Sequence, residues 1–485
     1  MLRRRPHPAL SRHPLPLQER DDETNVLPSP EAGEGLGVRA NRQKGTALAK
    51  KKEAPPPVVP AAPDPWPPYA KAGKEPVRIR DVKVILTAPN GIRLVIVKVE
   101  TTEPGLYGIG CATFTQRPMA VVTAIEEYLK PFVIGRDVHD IEDFWQAAFV
   151  SSYWRSGPVL NNAMSGIDMA LWDIKGKIAN LPVYQLLGGK TRKAASVYVH
   201  ASGMDFAEVE EDVQRYLDQG FKYIRCQVAV PGSSTYGVGK RVQGKVSNRS
   251  SHLDPAQAPW DPDAYVRIVP KLFDHIRSRF GEEIQLLHDI HERVAPMQAI
   301  NLARDLDQFK LFFLEDPFAP EDNGYFPLLR QHSSTPIAMG ELYVNVHEYV
   351  PLIQERLIDF IRVHISDIGG LTRAWKLAAL CEFFGVRTAW HGPGDASPVA
   401  HAANVALDLA CFNFGIQESY LFPERTKEVF PGCPEIRDGM IWANETPGLG
   451  IDIDEKAAAK YPFPTAAFNG AWPAIRTPDG TVIKP

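Results

Sequence analysis

Three acids stand at even intervals in this chain: Asp289, Glu315 and Glu341, 26 and 26 residues apart, each closing a short apolar run (IQLLHD, LFFLE, IAMGE). Carboxylates brought to one point repel unless a cation neutralises them, and an all-oxygen donor set selects a hard ion, one Mg²⁺ with Mn²⁺ as substitute. A single acid after a strand commonly caps the next helix; three in register on consecutive strands favour the metal. His291 follows Asp289 by two positions. Alternate side chains of a strand share a face, so His291 is expected to point where Asp289 points. His288 and Glu292 then turn the other way, toward helices or solvent.

The elements that must hold these groups repeat. From about residue 195 the chain gives short apolar runs, each followed by a helical stretch, and the runs end at His200, Gln227, Asp289, Glu315, Glu341, His364, His391 and Glu418. Successive separations are 27, 62, 26, 26, 23, 27 and 27 residues. Alternating strands and helices imply parallel pairing, and eight such units close a (β/α)₈ barrel, whose chemistry sits at the C-terminal ends of its strands. The 62-residue gap carries the Gly- and Ser-rich VPGSSTYGVGK, an insertion that falls on that face. No lysine stands at any of the eight run ends, which excludes a Schiff-base aldolase.

Ahead of the barrel, RIRDVKVILTAPNGIRLVIVKVETTEPGLYGIG reads as two strands joined at Asn90-Gly91 and a third after Pro104-Gly105. A helix follows, marked by Met164, Ile167, Leu171, Ile174 and Ile178. The first 70 positions hold 14 of the 43 prolines, a composition that cannot bury enough apolar surface to offset chain entropy. The expected division is a disordered tail over 1–75, an α+β capping domain over 76–190, the α/β barrel of TIM type over 191–425, and a segment completing the cap over 426–485.

The 44% apolar content of the 485 residues suits a large globular core. A net charge of −4 gives no basic footprint for nucleic acid, and no run reaches the length of a membrane span. Five scattered cysteines without CxxC spacing argue against a disulfide framework or thiolate zinc site and point to a reducing, cytoplasmic setting.

LHDIHE, FFLEDPF, MGELY, HISDIGG and AWHGPGD, with DMALWDIKGK and VYQLLGG earlier in the chain, resemble the enolase superfamily over about residues 77–460. More closely the chain resembles the mannonate dehydratase family, which includes mannonate and gluconate dehydratases and starvation-sensing or galactonate-dehydratase-like relatives. The resemblance implies a hydro-lyase acting on sugar acids. A base takes the proton α to the carboxylate, the metal stabilises the enediolate, and an acid protonates the departing 3-hydroxyl to give a 2-keto-3-deoxy acid. Carried over by motif, Asp289, Glu315 and Glu341 are the Mg²⁺ ligands and His291 the acid. The base is Tyr236 of the long insertion, with Arg225 favouring its phenolate. His200, Glu341, Arg362, His391, Asp395 and Glu418 are substrate contacts, and Gln116 of CATFTQRPMA is the lid contact. The lid triplet Asn-Gly-Arg of the efficient mannonate dehydratases is Thr115-Gln116-Arg117 in this chain, a departure that bears on mannonate as the substrate. The partners implied are a small acid sugar and further copies in a homo-oligomer. The alternative is a catalytically weak or silent relative that binds a metabolite for regulation.

Overall fold

The computed structural model describes residues 75–230, 259–464 and 476–484, all within one compact unit, 58–485. The tail expected over 1–75 lies outside the described residues but for Glu75, as does the insertion containing Tyr236.

Strands β1 (Ile79–Thr87), β2 (Leu94–Thr101) and β3 (Tyr107–Cys111) form an antiparallel sheet in chain order, with Asn90-Gly91 in the first connection. The helix Pro158–Ala179 lies against it, burying Met164, Ile167, Leu171 and Ile174, the 3.6-period face read from the sequence.

Eight parallel strands follow: β4 (Ala195–Gly203), β5 (Tyr223–Val228), β6 (Gln285–Asp289), β7 (Phe313–Glu315), β8 (Ile337–Met339), β9 (Phe360–Ile361), β10 (Arg387–Thr388) and β11 (Gln417–Glu418). They pair in order from β4 to β10. β11 pairs with β4, and a parallel bridge between Thr388 and Phe414 closes the ring. Each strand feeds one outer helix, from Phe206–Asp218 after β4 to Glu424–Val429 after β11. The fold is therefore a (β/α)₈ barrel with an N-terminal cap. Pairing stops short of three expected strand ends: β8, β9 and β10 finish at Met339, Ile361 and Thr388. Glu341, His364 and His391 thus sit at the start of the following loops.

After the barrel, β12 (Glu435–Arg437) and β13 (Met440–Trp442) form a hairpin, and β13 runs antiparallel to the start of β4. The chain then returns to the cap, where Ala88 N donates to Tyr461 O at 2.9 Å and Tyr107 Oη to Asp452 Oδ2 at 2.6 Å.

The two acids of DMALWDIKGK explain how cap and barrel are joined. The barrel helix Leu371–Phe384 starts at Gly370, which has no side chain to satisfy the first amides. Asp168 of the cap supplies the acceptor: Oδ2 takes Thr372 N at 3.0 Å and Oδ1 takes the Thr372 hydroxyl. Gly370 has φ +99°, and a Cβ there would meet Asp168 Oδ2 at 2.6 Å, so the close approach needs glycine. Asp173 ties the C-terminal segment to β3, accepting from Leu449 N at 2.8 Å and Ile109 N at 3.1 Å. Among the described residues no helix is long and apolar enough to cross a membrane.

Candidate active site at the mouth of the barrel

The barrel interior is filled by one layer of apolar side chains, Tyr198, Leu287, Phe313, Ala338, Phe360, Ala389 and Ile416, all without exposed surface. Two residues further along each strand, alternation must bring the next side chain to the same interior face. Those residues are His200, Asp289, Glu315, Gly340, Arg362, His391 and Glu418. The polar ring is thus one layer above a hydrophobic plug. Gly340 is the exception that proves instructive: with φ +139° it turns the chain so that the next residue, Glu341, takes the place in the ring.

Asp289 and Glu315 are direct neighbours in the β6–β7 ladder. With Asp316 they form a buried group whose ligand oxygens lie within 4.8 Å of one another. Asp289 Oδ1 and Glu315 Oε1 are buried and find no hydrogen-bond partner among the described residues. Buried polar atoms are nearly always satisfied, so two orphaned anionic oxygens side by side fit a hard cation. Arg225 reaches the other two oxygens, its Nη1 lying 3.1 Å from Asp289 Oδ2 and 2.8 Å from Glu315 Oε2. Burial pushes the Glu315 carboxyl up to about 7 against the pull of Arg362 and Arg225. Burial, reinforced by Glu341, likewise holds Asp316 well above its ordinary range.

Arg362 is fully buried and serves as a hub. Its Nε donates to Tyr198 Oη at 3.1 Å, Nη2 to Glu418 Oε2 at 2.7 Å, and Nη1 to Asp316 Oδ2 at 3.0 Å and to Glu341. Burial alone would raise Glu341 and Glu418, but Arg362 with the nearby histidines overcomes it and holds both well below the usual carboxylate range. Both are therefore ionised acceptors.

Histidines face these anions. His291 Nε2 lies 3.0 Å from Glu341 Oε1, His391 Nε2 3.3 Å from Glu341 Oε2, and His200 Nε2 2.9 Å from Glu418 Oε1. His200 Nδ1 meets Arg225 Nη2 at 3.1 Å, and burial followed by Arg225 lowers its pKa. Burial takes His391 down to about 3. The other ring nitrogen of His391, Nδ1, touches His364 Nδ1 at 2.8 Å.

The cap contributes its own loop. Thr115 Oγ1 donates toward Asp395 Oδ2 at 3.3 Å and lies 3.0 Å from Gln116 Oε1, which brings Gln116, the expected lid contact, beside the barrel mouth.

The structure therefore gathers Arg225, His291, His200, Glu341, Arg362, His391, Glu418, Asp289 and Glu315 into one ring and leaves Asp395 and Gln116 at its rim. Tyr236 lies outside the described residues. Two points differ from the strand reading. β6 ends at Asp289, and His291 and Glu292 have φ +53° and +50°, so a left-handed turn, not strand alternation, aims His291 at Glu341. Asp316 was missed because alternation sends the residue after Glu315 outward; φ +40° turns it back instead. The second acid of FLED was its only trace in the sequence. His288 does face a helix: its Nε2 meets Tyr265 Oη at 2.7 Å. Glu292 is buried, not solvated, and burial followed by Glu341 raises it to about 9.

Comparison with known proteins agrees with this architecture. Residues 70–188 match the mandelate racemase/muconate lactonizing enzyme N-terminal domain, and residues 208–457 the enolase C-terminal domain-like family. The D-galactonate dehydratase family member RspA of Pantoea ananatis is 55% identical over 418 residues, covering 84% of this chain and 99% of that protein. A family member from Salmonella virchow is 54% identical over 417 residues, with the same coverage. The crystal structure of an enolase from Pantoea ananatis with bound D-gluconate and Mg superposes with a TM-score of 0.79 at 54% identity, covering 84% of this chain and all of that one. The chain belongs to the enolase superfamily and, within it, to the D-galactonate dehydratase family.

Proposed function

We propose that this chain is a Mg²⁺-dependent dehydratase of sugar acids of the gluconate or mannonate type, yielding a 2-keto-3-deoxy acid. The observation that carries the reading is the pair of orphaned, buried carboxylate oxygens on Asp289 and Glu315 inside a ring of proton donors and acceptors. Asp289 and Glu315, with Glu341 as third carboxylate, would hold the ion. When bound, it offsets the negative charge that develops on the substrate carboxylate as the α-proton leaves.

The chain's own groups divide the remaining work. Tyr236 takes the α-proton, with Arg225 as the cation that the family pattern pairs with it to favour the phenolate. His291 gives a proton to the departing 3-hydroxyl from a ring whose Nε2 lies 3.0 Å from Glu341 Oε1. His200, Arg362, His391, Asp395 and Glu418 hold the carboxylate and hydroxyls, and Gln116 limits chain length from the cap. The name and bound gluconate of the relatives favour six-carbon aldonic acids as the first substrates to try.

A broad panel of hexonic and pentonic acids, incubated with Mg²⁺ and separately with EDTA, tests the reading. A 2-keto acid from at least one member, abolished by EDTA, is the expected result. No product from any member would favour a metabolite-binding relative.

A further inference from the structure

His391 and Asp395, two of the groups expected to hold the substrate, bound the loop His391-Gly392-Pro393-Gly394-Asp395 after β10. The loop rests on β11 and the residues that follow it. Gly392 N donates to Glu418 Oε2 at 3.0 Å, and Gly394 lies so close against the ring of Tyr420 that a Cβ there would meet Cε2 at 2.8 Å. Packing that tight has no slack, so a shift of the ring must shift the loop. The ring is held in turn from the cap. Asn90, in the turn between β1 and β2, donates from Nδ2 to Tyr420 Oη at 2.8 Å, and its Oδ1 accepts from Arg425 Nη2 at 2.6 Å. A guanidinium only donates, so Oδ1 must face Arg425 and the amide nitrogen must face Tyr420. The turn that carries Asn90 is itself fixed: Gly91 N donates to Ala88 O at 2.9 Å, with Pro89 at its second position. Pro89, Asn90, Gly394, Tyr420 and Phe422 accordingly line one small crevice.

We infer that Tyr420 is a positioning residue that carries the seating of the cap to this loop: Asn90 fixes the ring, and the ring fixes Gly394 between His391 and Asp395. The cap also grips the loop at Asp395, through Thr115 at 3.3 Å. The two links differ in kind. Thr115 stands beside Gln116, the expected lid contact, whereas Asn90 reaches the loop through Tyr420. Asp289, Glu315, Glu341 and His291 belong to β6, β7 and the segments after β6 and β8. Loosening Tyr420 therefore removes binding shared by ground state and transition state, which raises KM and spares kcat. The consequence for KM rests on the dehydratase reading; the mechanical link between hairpin and loop does not.

Amide hydrogen exchange of the full-length, Mg²⁺-loaded protein tests the link without turnover. It is read on peptides covering 391–397, where the amides of His391, Gly392 and Ala396 are hydrogen-bonded. Asn90→Ala and Tyr420→Phe are each expected to speed exchange there about fivefold, the scale of one net hydrogen bond, and to leave the segment 286–294 around Asp289 unchanged. Asn90→Asp, which can still accept from Arg425 and from the Tyr420 hydroxyl, is expected to match wild type. Unchanged exchange at 391–397 in both variants overturns the inference, and so does equal speeding in both segments, which would mean a general loosening of the fold. The second readout is the split between KM and kcat on gluconate, or on whichever panel acid wild type dehydrates. Each single variant is expected to raise KM about fivefold with kcat held within about twofold. The double variant Asn90→Ala/Tyr420→Phe is expected to be no worse than either single, because both remove the same bond. A fall in kcat at unchanged KM, or losses that add, overturns the positioning role. A wild type that dehydrates nothing counts against the functional reading and leaves the exchange result to decide this one.

Discussion

Asp168 of the cap accepts the backbone amide of Thr372 at 3.0 Å, so the first turn of a barrel helix is capped from another domain. Burial raises this carboxyl to about 7 against the opposing bonds from Thr372, whereas an unfolded aspartate titrates near ~4. Between those values unfolding releases a proton, so Asp168 makes stability fall as pH rises from about 4 to about 7, by up to ~1.4 kcal/mol per pH unit, and adds no slope above that. Asp168→Asn keeps an acceptor for Thr372 and cannot ionise. Urea unfolding at pH 5 and pH 8 is expected to show a smaller loss across that interval in the variant than in wild type. Equal losses would mean that Asp168 is not raised.

Asp289→Asn and Glu315→Gln are each expected to weaken Mn²⁺ binding, measured by EPR, at least tenfold, since each removes an orphaned anionic oxygen. Asp316 is already engaged by Gly340 N at 3.0 Å and Arg362 at 3.0 Å. Asp316→Asn is therefore expected to act as the loss of an outer partner does, by about 10- to 100-fold, and Glu341→Gln by at least as much. A larger loss from Asp316→Asn than from Glu341→Gln would make Asp316 the third ligand.

Arg225 draws on the same two carboxylates through one nitrogen. Removing its charge with Arg225→Gln takes a competing cation off those oxygens, so at pH 8.5, where the acids ionise, affinity for Mn²⁺ is expected to rise severalfold while turnover falls by 10²-fold or more. Weaker metal binding together with lower turnover would instead make Arg225 a support of the metal centre.

How much of this was legible in the sequence differs by element. The barrel was readable because six of seven gaps between apolar runs repeat one strand-helix length. Asp289 and Glu315 were readable because they end β6 and β7. What alternation could not give are the residues that a turn redirects: Glu341 comes into the ring through Gly340, His291 through a left-handed turn, and Asp316 through φ +40°. Nor could it give the 2.8 Å meeting of His364 and His391, which depends on two loops from different strands. The cap acids Asp168 and Asp173 stood out in a motif, yet their partners, Thr372 and Leu449, are 204 and 276 residues away.

The two proton transfers should separate by substitution. Tyr236→Phe is expected to abolish exchange of the substrate C2 proton with D₂O. His291→Asn is expected to retain exchange and to lower dehydration by 10²-fold or more. Normal exchange in Tyr236→Phe would remove the tyrosine from the role of base.

The most direct measurement follows gluconate, mannonate and the other panel acids by ¹H NMR in D₂O with Mg²⁺. The account predicts loss of the C2 proton from at least one acid and a 2-keto-3-deoxy product carrying a single solvent deuteron at C3, with neither change in Asp289→Asn. Failure of every acid to lose its C2 proton, or equal turnover by Asp289→Asn, would contradict it.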